Sequence, residues 1–323
     1  MAPSVYVLIL NYNGRAHLEY CLPSVLKTDY SDVHIVLIDN GSNDGSVPLA
    51  RGGYPQVAII ENQRNLGYAA GNNVGVNYAL EQGADYVALL NNDMRVDPRW
   101  LTHAVTVAED DPAIGFVGFD TIGEYHIDAD PDLSLFGQRQ AAWQRLETSS
   151  TEHVAGCAML VRAALFRDIG LFDEAYFAYG EEDDLQRRAR RAGYRSVRIN
   201  IPLWHYNSGS FGRHSLRTAV MAQRNHIRVM IKADLPRVAL QRFITMIHFI
   251  CRPGIRYDHT HAHLRRLRPS IYPINVAILL YAILWNLVMS PVTLLARHRD
   301  GRRIRAARQQ LAALQPVGQG DAL

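Results

Sequence analysis

The sequence predicts an α/β fold: a mostly parallel sheet flanked by helices, followed by a helical C-terminal region. Three observations predict it. Over the first 120 residues, short and nearly continuous apolar runs alternate with stretches of helical periodicity. Three of those runs end in polar strings: Asn11-Tyr12-Asn13, Asp39-Asn40-Gly41-Ser42 and Asn91-Asn92-Asp93. From about residue 215 the chain turns to basic and apolar helical segments. Strands buried on both faces and joined by helices build a parallel sheet. Such sheets bind ligands beyond the carboxyl ends of their strands, where the three polar strings fall.

The elements follow in order. Residues 5–10 are an apolar strand, and 15–28 read as a helix with Leu18, Cys21, Leu22, Val25 and Leu26 on one face. Residues 34–38 and 57–60 are the next apolar runs, a helix follows over about 69–82, and 86–90 is the fourth run. Pro98 opens another helix, a position that proline favours. Residues 120–152 are irregular. Residues 153–162 read as a buried strand, and 182–192 as an amphipathic helix with Leu185, Ala189 and Ala192 inward and Gly193 as its stop. A strand over 196–199 leaves His205 in the loop after it, beside Ser208 and Ser210.

Composition narrows the class. The chain has 323 residues, of which 48% are apolar and 20% charged, so it can bury a sizeable core and is not disordered. Its net charge of +3 hides an asymmetry. Residues 1–184 hold 10 Lys/Arg against 27 Asp/Glu, a balance of −17; residues 185–323 hold 24 against 4, a balance of +20. An acidic front suits a divalent cation, and a basic rear suits an anionic partner. Cys21, Cys157 and Cys251 form no CxxC pair, which points to a reducing compartment without a disulfide framework or zinc site. The N-terminus enters a strand at once, unlike a signal peptide.

Between Pro273 and Pro291 lie 17 uncharged residues. A membrane span needs about 20. Arg265, Arg266 and Arg268 precede the segment, and Arg297, Arg299, Arg302, Arg303 and Arg305 follow it. A simple span is basic mainly on its cytoplasmic side. Two basic flanks fit a helix lying in the interface, or a re-entrant hairpin, on an anionic membrane surface. A buried helix or a homodimer interface is the competing reading. The expected location is the cytoplasmic face of the cell membrane, peripheral or monotopic.

Two strings carry chemistry. Asp93 stands at a strand end beside Asn91 and Asn92, a common way to hold Mg or Mn on a diphosphate. Glu181-Glu182-Asp183-Asp184 puts four acids at a helix start. The macrodipole favours acids there, but four in a row exceed what capping needs. Crowding raises at least one carboxyl pKa, which is useful for a general base.

With these strings placed, the chain resembles the family 2 glycosyltransferases of GT-A fold, especially bacterial rhamnosyltransferase-like members. The resemblance covers about residues 4–232. Residues 9–14 look like the first strand and its nucleotide-contacting turn, with Asn11, Tyr12 and Asn13. Residues 39–46 are similar to the segment whose aspartate, here Asp39 beside Asn40, contacts the nucleobase. Residues 65–73, with Gly67 and Asn72, resemble the next donor-binding segment. Asn91-Asn92-Asp93 stands at the DXD metal motif and Glu181-Glu182 at the ED motif. His205 with Ser208 and Ser210 resembles the later His-containing loop, and Arg224-Asn225 an RN pair.

The resemblance implies a GT-A domain over 1–215, with a donor half (about 1–120) and an acceptor half (about 120–215). A basic, membrane-associating helical region spans 216–323. It further implies an inverting transfer from a nucleoside-diphosphate sugar to a glycan or lipid-linked glycan hydroxyl in cell-envelope polysaccharide synthesis. The sugar it suggests is rhamnose. Asp93, with Asn91 and His205, would hold the metal, and Glu182 would be the base. Two departures stand out: Asn91 replaces the first DXD aspartate, and Glu182 replaces the usual Asp, which leaves Asp183 and Glu181 as competitors. Arg64 fits either a donor contact or a surface ion pair. A chain cut after about residue 235 is expected to be soluble and to keep donor binding.

Other classes fit less well. The turn after the first strand has no GxGxxG, and no GxxxxGK[ST] occurs, against a dehydrogenase or P-loop enzyme. The rear arginines lack the aromatic interleaving of a nucleic-acid surface. A non-catalytic, membrane-associated nucleotide-sugar-binding or scaffold protein is the alternative, but it leaves the acidic strings unexplained.

Overall fold

The computed structural model describes residues 1–122, 134–206, 215–251 and 272–314. The chain begins with β1 (Val5–Asn11), α1 (Arg15–Val25), β2 (Val33–Asp39), α2 (Ser46–Gly53), β3 (Ala58–Glu61), α3 (Gly67–Glu81) and β4 (Tyr86–Asn91). Then come β5 (Met94–Arg95), α4 (Trp100–Glu109), β6 (Ile114–Ile122), α5 (Ser134–Ala142), β7 (Thr148–Thr151), β8 (Ala158–Arg162), α6 (Ala163–Ile169), α7 (Glu181–Ala192) and β9 (Arg195–His205). Three helices close the described chain: α8 (Leu216–Ala233), α9 (Pro236–Cys251) and α10 (Tyr272–Leu314).

The sheet runs β3-β2-β1-β4-β8-β6-β9-β5, with β7 beside β9. The first four strands are parallel; β8 is antiparallel to both β4 and β6. Successive residues of a strand face opposite sides, and β1 shows the result. Val5, Val7 and Ile9 join Leu18, Leu22 and Trp100 in one core layer. Tyr6 and Leu8 join Val76, Phe166 and Leu185 in the other. Burial on both faces is why the strands read as unbroken apolar runs.

Four expectations shift. α4 starts at Trp100 rather than at Pro98, because the Asp97 carboxylate turns the chain by accepting from the Arg99 N–H at 2.9 Å. The strand expected over 153–162 is confined to β8. The Val154 N–H and C=O are instead taken by the Gln186 side chain, at 2.7 and 2.9 Å. β9 runs on past 199 to His205, since pairing with β6 resumes after a register shift at Asp120↔Pro202, and β5 pairs Met94 with His205. His205 is therefore a strand residue. Ser208 and Ser210 lie outside the described residues, as do Arg265, Arg266 and Arg268.

The apolar segment 274–290 is not a separate element. It is the first part of α10, which passes through Pro291 and spans 43 residues. That corresponds to a length of about 65 Å. The first part packs through Leu279 and Ala282 on Ile227 and Met230 of α8 and Met246 and Phe249 of α9. The last part places Ile304, Ala307 and Leu311 in the core layer that holds Leu185 and Ala189 of α7 and Val229 and Ala233 of α8. Packing on both sides of Pro291 outweighs the one backbone hydrogen bond that a proline removes. α8 and α10 thus share a core layer with β1 and α7.

Candidate active site

At the carboxyl ends of β1 and β2, Asn11 is fully buried. Its amide donates to Asp39 Oδ1 at 3.0 Å and to Ser42 Oγ at 3.2 Å, and its Oδ1 accepts from Asn92 Nδ2 at 2.7 Å. Asp39 Oδ2 also accepts the N–H groups of Gly41 and Ser42, at 3.1 and 2.8 Å. Asp39 is 2% exposed and braces the turn with its carboxylate. Asn13 adopts φ 49° and ties the turn across: its N–H donates to Ser42 Oγ at 2.8 Å and its Oδ1 accepts from Asn43 N–H at 2.9 Å. Tyr12 and Asn13 face outward.

Asn40 donates to the Gly67 carbonyl at 3.0 Å and accepts from Asn62 at 2.9 Å, joining the second polar turn to the start of α3. Asn72 is buried and spends its amide on the Tyr68 carbonyl within α3. Arg64 is exposed. Gly67 lies at φ 81° with the Phe177 carbonyl 2.3 Å from where a Cβ would stand. No side chain fits there.

The β5–β9 pairing sets Asp93 against His205, with Asp93 Oδ1 3.2 Å from His205 Nε2. Asp93 is 5% exposed. Burial opposes charge on His205, but hydrogen bonds to Asp93 and Cys157 carry the ring pKa up to about 10. Asn91 ends β4 and donates its N–H to the Cys157 carbonyl at 2.8 Å. Among the described residues no group of three or more His, Cys, Asp or Glu converges as a self-sufficient metal cage. The buried Asp93 carboxylate fits a cation whose remaining positions are filled by diphosphate oxygens and water, and the His205 ring can join it only after giving up the proton that Asp93 favours.

The four acids of α7 separate into two kinds. Asp183 pairs with Arg187 at 2.9 Å and Arg242 at 3.3 Å. Burial opposes its charge, but those two guanidiniums hold its carboxyl below the usual range. Asp184 is fully buried between Arg188 at 2.9 Å and Lys232 at 2.8 Å. Among the described residues, Oε2 of Glu181 and of Glu182 is buried without a hydrogen-bond partner. Burial first, and the Glu182 charge second, push the Glu181 carboxyl well above the usual carboxylate range. Glu182 is less buried. A methyl group placed at Gly156 would stand 3.5 Å from Glu182 Cγ and 3.6 Å from the Tyr68 hydroxyl. Gly156 precedes Cys157, so the glutamates and the Asp93–His205 pair border the same stretch of chain.

The sequence singled out neither Tyr68, whose hydroxyl donates to the Gly156 carbonyl, nor Cys157, nor Asn73 as an anchor. Asn73 donates to the Phe172 carbonyl at 3.0 Å and accepts its N–H at 3.1 Å. Only its place inside the 65–73 motif could have flagged it. A polar depression of about 650 Å³ beside Trp143, Asn200 and Pro202 is lined by none of the predicted site residues.

Residues 6–170, just over half of the chain, match the sequence profile of Glycosyl transferase family 2. The chain belongs to this family. This glycosyltransferase is 29% identical over 237 residues to the N-acetylglucosaminyl-diphospho-decaprenol L-rhamnosyltransferase of Mycobacterium tuberculosis, covering 64% of this chain and 77% of the relative. It is 27% identical over 209 residues to the galactofuranosyltransferase GlfT1 of Mycolicibacterium smegmatis, covering 58% and 66%. Its fold is similar to that of S. aureus TarS in complex with UDP-GlcNAc, at a TM-score of 0.59, 14% identity and coverage of 98% and 93%. It is also similar to the mannosyltransferase PcManGT of Pyrobaculum calidifontis in complex with GDP-Man and Mn2+, at a TM-score of 0.54, 16% identity and coverage of 99% and 89%.

Proposed function

We propose that this glycosyltransferase moves a hexose, with inversion, from a nucleoside-diphosphate sugar to a hydroxyl of a glycan or lipid-linked glycan in cell-envelope polysaccharide synthesis. The observation that carries the reading is the arrangement around Gly156 and Cys157: a buried carboxylate–imidazole pair on one side, and on the other two carboxyls without ion partners among the described residues. The polar turns at Asn11–Asn13, Asp39–Asn40 and Asn91–Asn92 would hold the nucleoside diphosphate, with Gly67, Asn72 and Arg64 supporting them. Asp93 and His205, with Asn91 beside them, would hold Mg or Mn, which when bound neutralises diphosphate charge. Glu182 would accept the acceptor hydroxyl's proton as that oxygen bonds to the anomeric carbon. The bond to the nucleoside diphosphate breaks on the opposite face. The relatives named for rhamnosyl and galactofuranosyl transfer support a deoxyhexose or hexose donor and a lipid-linked acceptor.

A thermal-shift panel of UDP-, GDP- and dTDP-sugars with and without Mn or Mg tests the donor reading. Asp93→Ala should abolish the metal-dependent part of the stabilisation by a nucleoside diphosphate. A shift that persists unchanged takes Asp93 out of the metal site.

The helical rear would seat the enzyme on the cytoplasmic face of an anionic membrane. α10 is long and apolar enough to cross a membrane by length and composition. Leu284, Leu287, Val288 and Leu295 are exposed on α10, as are Leu240 and Ile244 on α9. Arg299, Arg302, Arg303 and Arg305 are exposed just beyond, whereas Arg297 donates to the Ile231 carbonyl at 2.5 Å. Apolar side chains beside arginines suit a bilayer with anionic headgroups. A cut after residue 235 would remove Ile304, Ala307 and Leu311 from the core, so truncation does not isolate membrane binding. Substitution does. The full chain should float with anionic liposomes at low salt, and a Leu284→Glu/Leu287→Glu variant should stay in the lower fractions. A parent chain that stays at the bottom and elutes as a dimer without detergent makes this face a dimer interface instead.

A further inference from the structure

The loop that launches α7 includes an unfavourable backbone conformation, and a side chain on α8 is bonded to it. Tyr179 has φ 70° and Gly180 has φ 98°, two consecutive left-handed residues immediately before Glu181. Among the described residues only Asn13 and Tyr179 adopt positive φ without being glycine, and both border the candidate site. A left-handed tyrosine persists only where its surroundings fix it.

Asn225 ties it to α8. The residue is fully buried, and its amide nitrogen donates to the carbonyls of both Ala178 and Tyr179 at 2.9 Å. Its Oδ1 accepts from Arg224 Nε at 3.2 Å, so both ends of the amide are engaged. Arg224 is itself set: its guanidinium lies 4.5 Å over the Trp285 ring of α10, and its carbonyl accepts from Asn286 at 2.9 Å.

The rest of the loop is anchored elsewhere. Asn73 of α3 grips Phe172 on both backbone groups, and the Tyr68 N–H donates to the Phe177 carbonyl at 2.7 Å. Arg228 and Lys232 hold Asp173, each at 3.0 Å. Asp183 and Asp184 keep their ion pairs one turn into α7. Removing the Asn225 amide therefore leaves the loop and helix attached. Ala178 and Tyr179, just before the acid pair, then lose their tie to α8.

We propose that Asn225 is a positioning residue, holding the Glu181–Glu182 pair in register with the Asp93–His205 side through the carbonyls of Ala178 and Tyr179. This rests on the reading of Glu182 as the base. The donor turns at Asn11, Asp39 and Asn92 share no hydrogen bond with Asn225. A misplaced base should therefore slow transfer without weakening donor binding.

The test compares full-length Asn225→Ala, Asn225→Asp and Asn225→Ser with Glu182→Gln. The donor is the nucleoside-diphosphate sugar that gives the largest thermal shift in the panel above. Asn225→Ala should lower kcat by about 10- to 100-fold, since a misplacement of about 1 Å costs on that order. The donor KM should stay within about threefold, the signature of lost transition-state rather than ground-state interaction. Asn225→Asp keeps the shape but has no donor when ionised, so it should match the alanine variant at high pH and recover rate as pH falls and the carboxyl gains an O–H donor. Asn225→Ser retains one short donor and should recover part of the rate, which a purely steric role would not allow. An alanine variant within twofold of the parent, alongside a Glu182→Gln variant that has lost its rate, overturns the proposal alone. So does a joint fall of kcat, donor affinity and melting midpoint across all three variants, which marks a structural role. Full rate in Glu182→Gln overturns the base assignment, and the proposal with it.

Discussion

Glu182→Gln is expected to lower the transfer rate by about 10²-fold or more, the usual contribution of a general base, while donor-induced thermal stabilisation stays unchanged. The substitution keeps the size of the side chain and removes its basicity. The three neighbouring acids supply internal controls. Asp183→Asn should cost much less rate, because that carboxylate is already committed to Arg187 and Arg242 and has little freedom to take a proton from substrate. Asp184 is fully buried among cations, out of reach of an acceptor. Glu181 is the demanding comparison. Its carboxyl, raised by burial and then by the Glu182 charge, resists ionisation, so it is the poorer proton acceptor of the pair and glutamine changes it less. Glu181→Gln should therefore retain most of the rate. The measurement is kcat with saturating donor for each single variant. If Glu181→Gln loses the rate and Glu182→Gln does not, the deeper carboxyl is the base and the pair shares its proton in the opposite sense.

The four acids also show what a sequence can and cannot reveal. That a cluster of carboxyls stands at a helix start was legible, because helix periodicity resumes at Leu185, Ala189 and Ala192 and all three are buried. The helical partners of Asp183 and Asp184, Arg187 and Arg188, stand four residues on and were legible too. Their second cations, Arg242 and Lys232, lie 59 and 48 residues away and were not. The parallel strands were legible because burial on both faces leaves unbroken apolar runs. β5, two residues long, leaves no such signal, yet it is what brings His205 against Asp93. The continuation of β9 was hidden by Asn200 and Pro202, which read as a strand end until β6 pairs across them. The basic rear read as a region apart, since nothing in an arginine-rich helix announces that Ile304, Ala307 and Leu311 complete a core begun 300 residues earlier at Tyr6.

Lys232→Met is expected to destabilise the folded chain by about 3–5 kcal/mol, the range for breaking a buried ion pair from one side. Lys232 stands at the centre of a charge cluster drawn from four segments. Its ammonium lies 3.0 Å from Asp173, 2.8 Å from Asp184 on α7 and 3.0 Å from Asp300 on α10. Arg228 and Arg188 complete the set, at 3.0 Å from Asp173 and 2.9 Å from Asp184. Removing the one cation that touches all three carboxylates leaves like charges crowded in a poorly solvated space. Exposed pairs make the contrast: Arg51→Ala, which breaks a pair with Glu61 whose side chains are 62% and 44% exposed, should cost less than about 1 kcal/mol. Asp184→Asn added to Lys232→Met should restore part of the loss, since one stranded charge disappears and the two sites are directly coupled. The cluster is also acid-sensitive. Burial opposes the Asp173 charge, but Lys232 and Arg228 overcome it and hold the carboxyl well below its usual range. A depressed pKa contributes stability that is fully present above the unfolded value of about 3.9 and is lost as pH falls below it. Urea midpoints at pH 7 and in the acid range read both effects. In Lys232→Met the acid-dependent loss should shrink, because its main cause is gone. An unchanged midpoint at pH 7 would mean that the cluster holds α10 to α7 by packing alone.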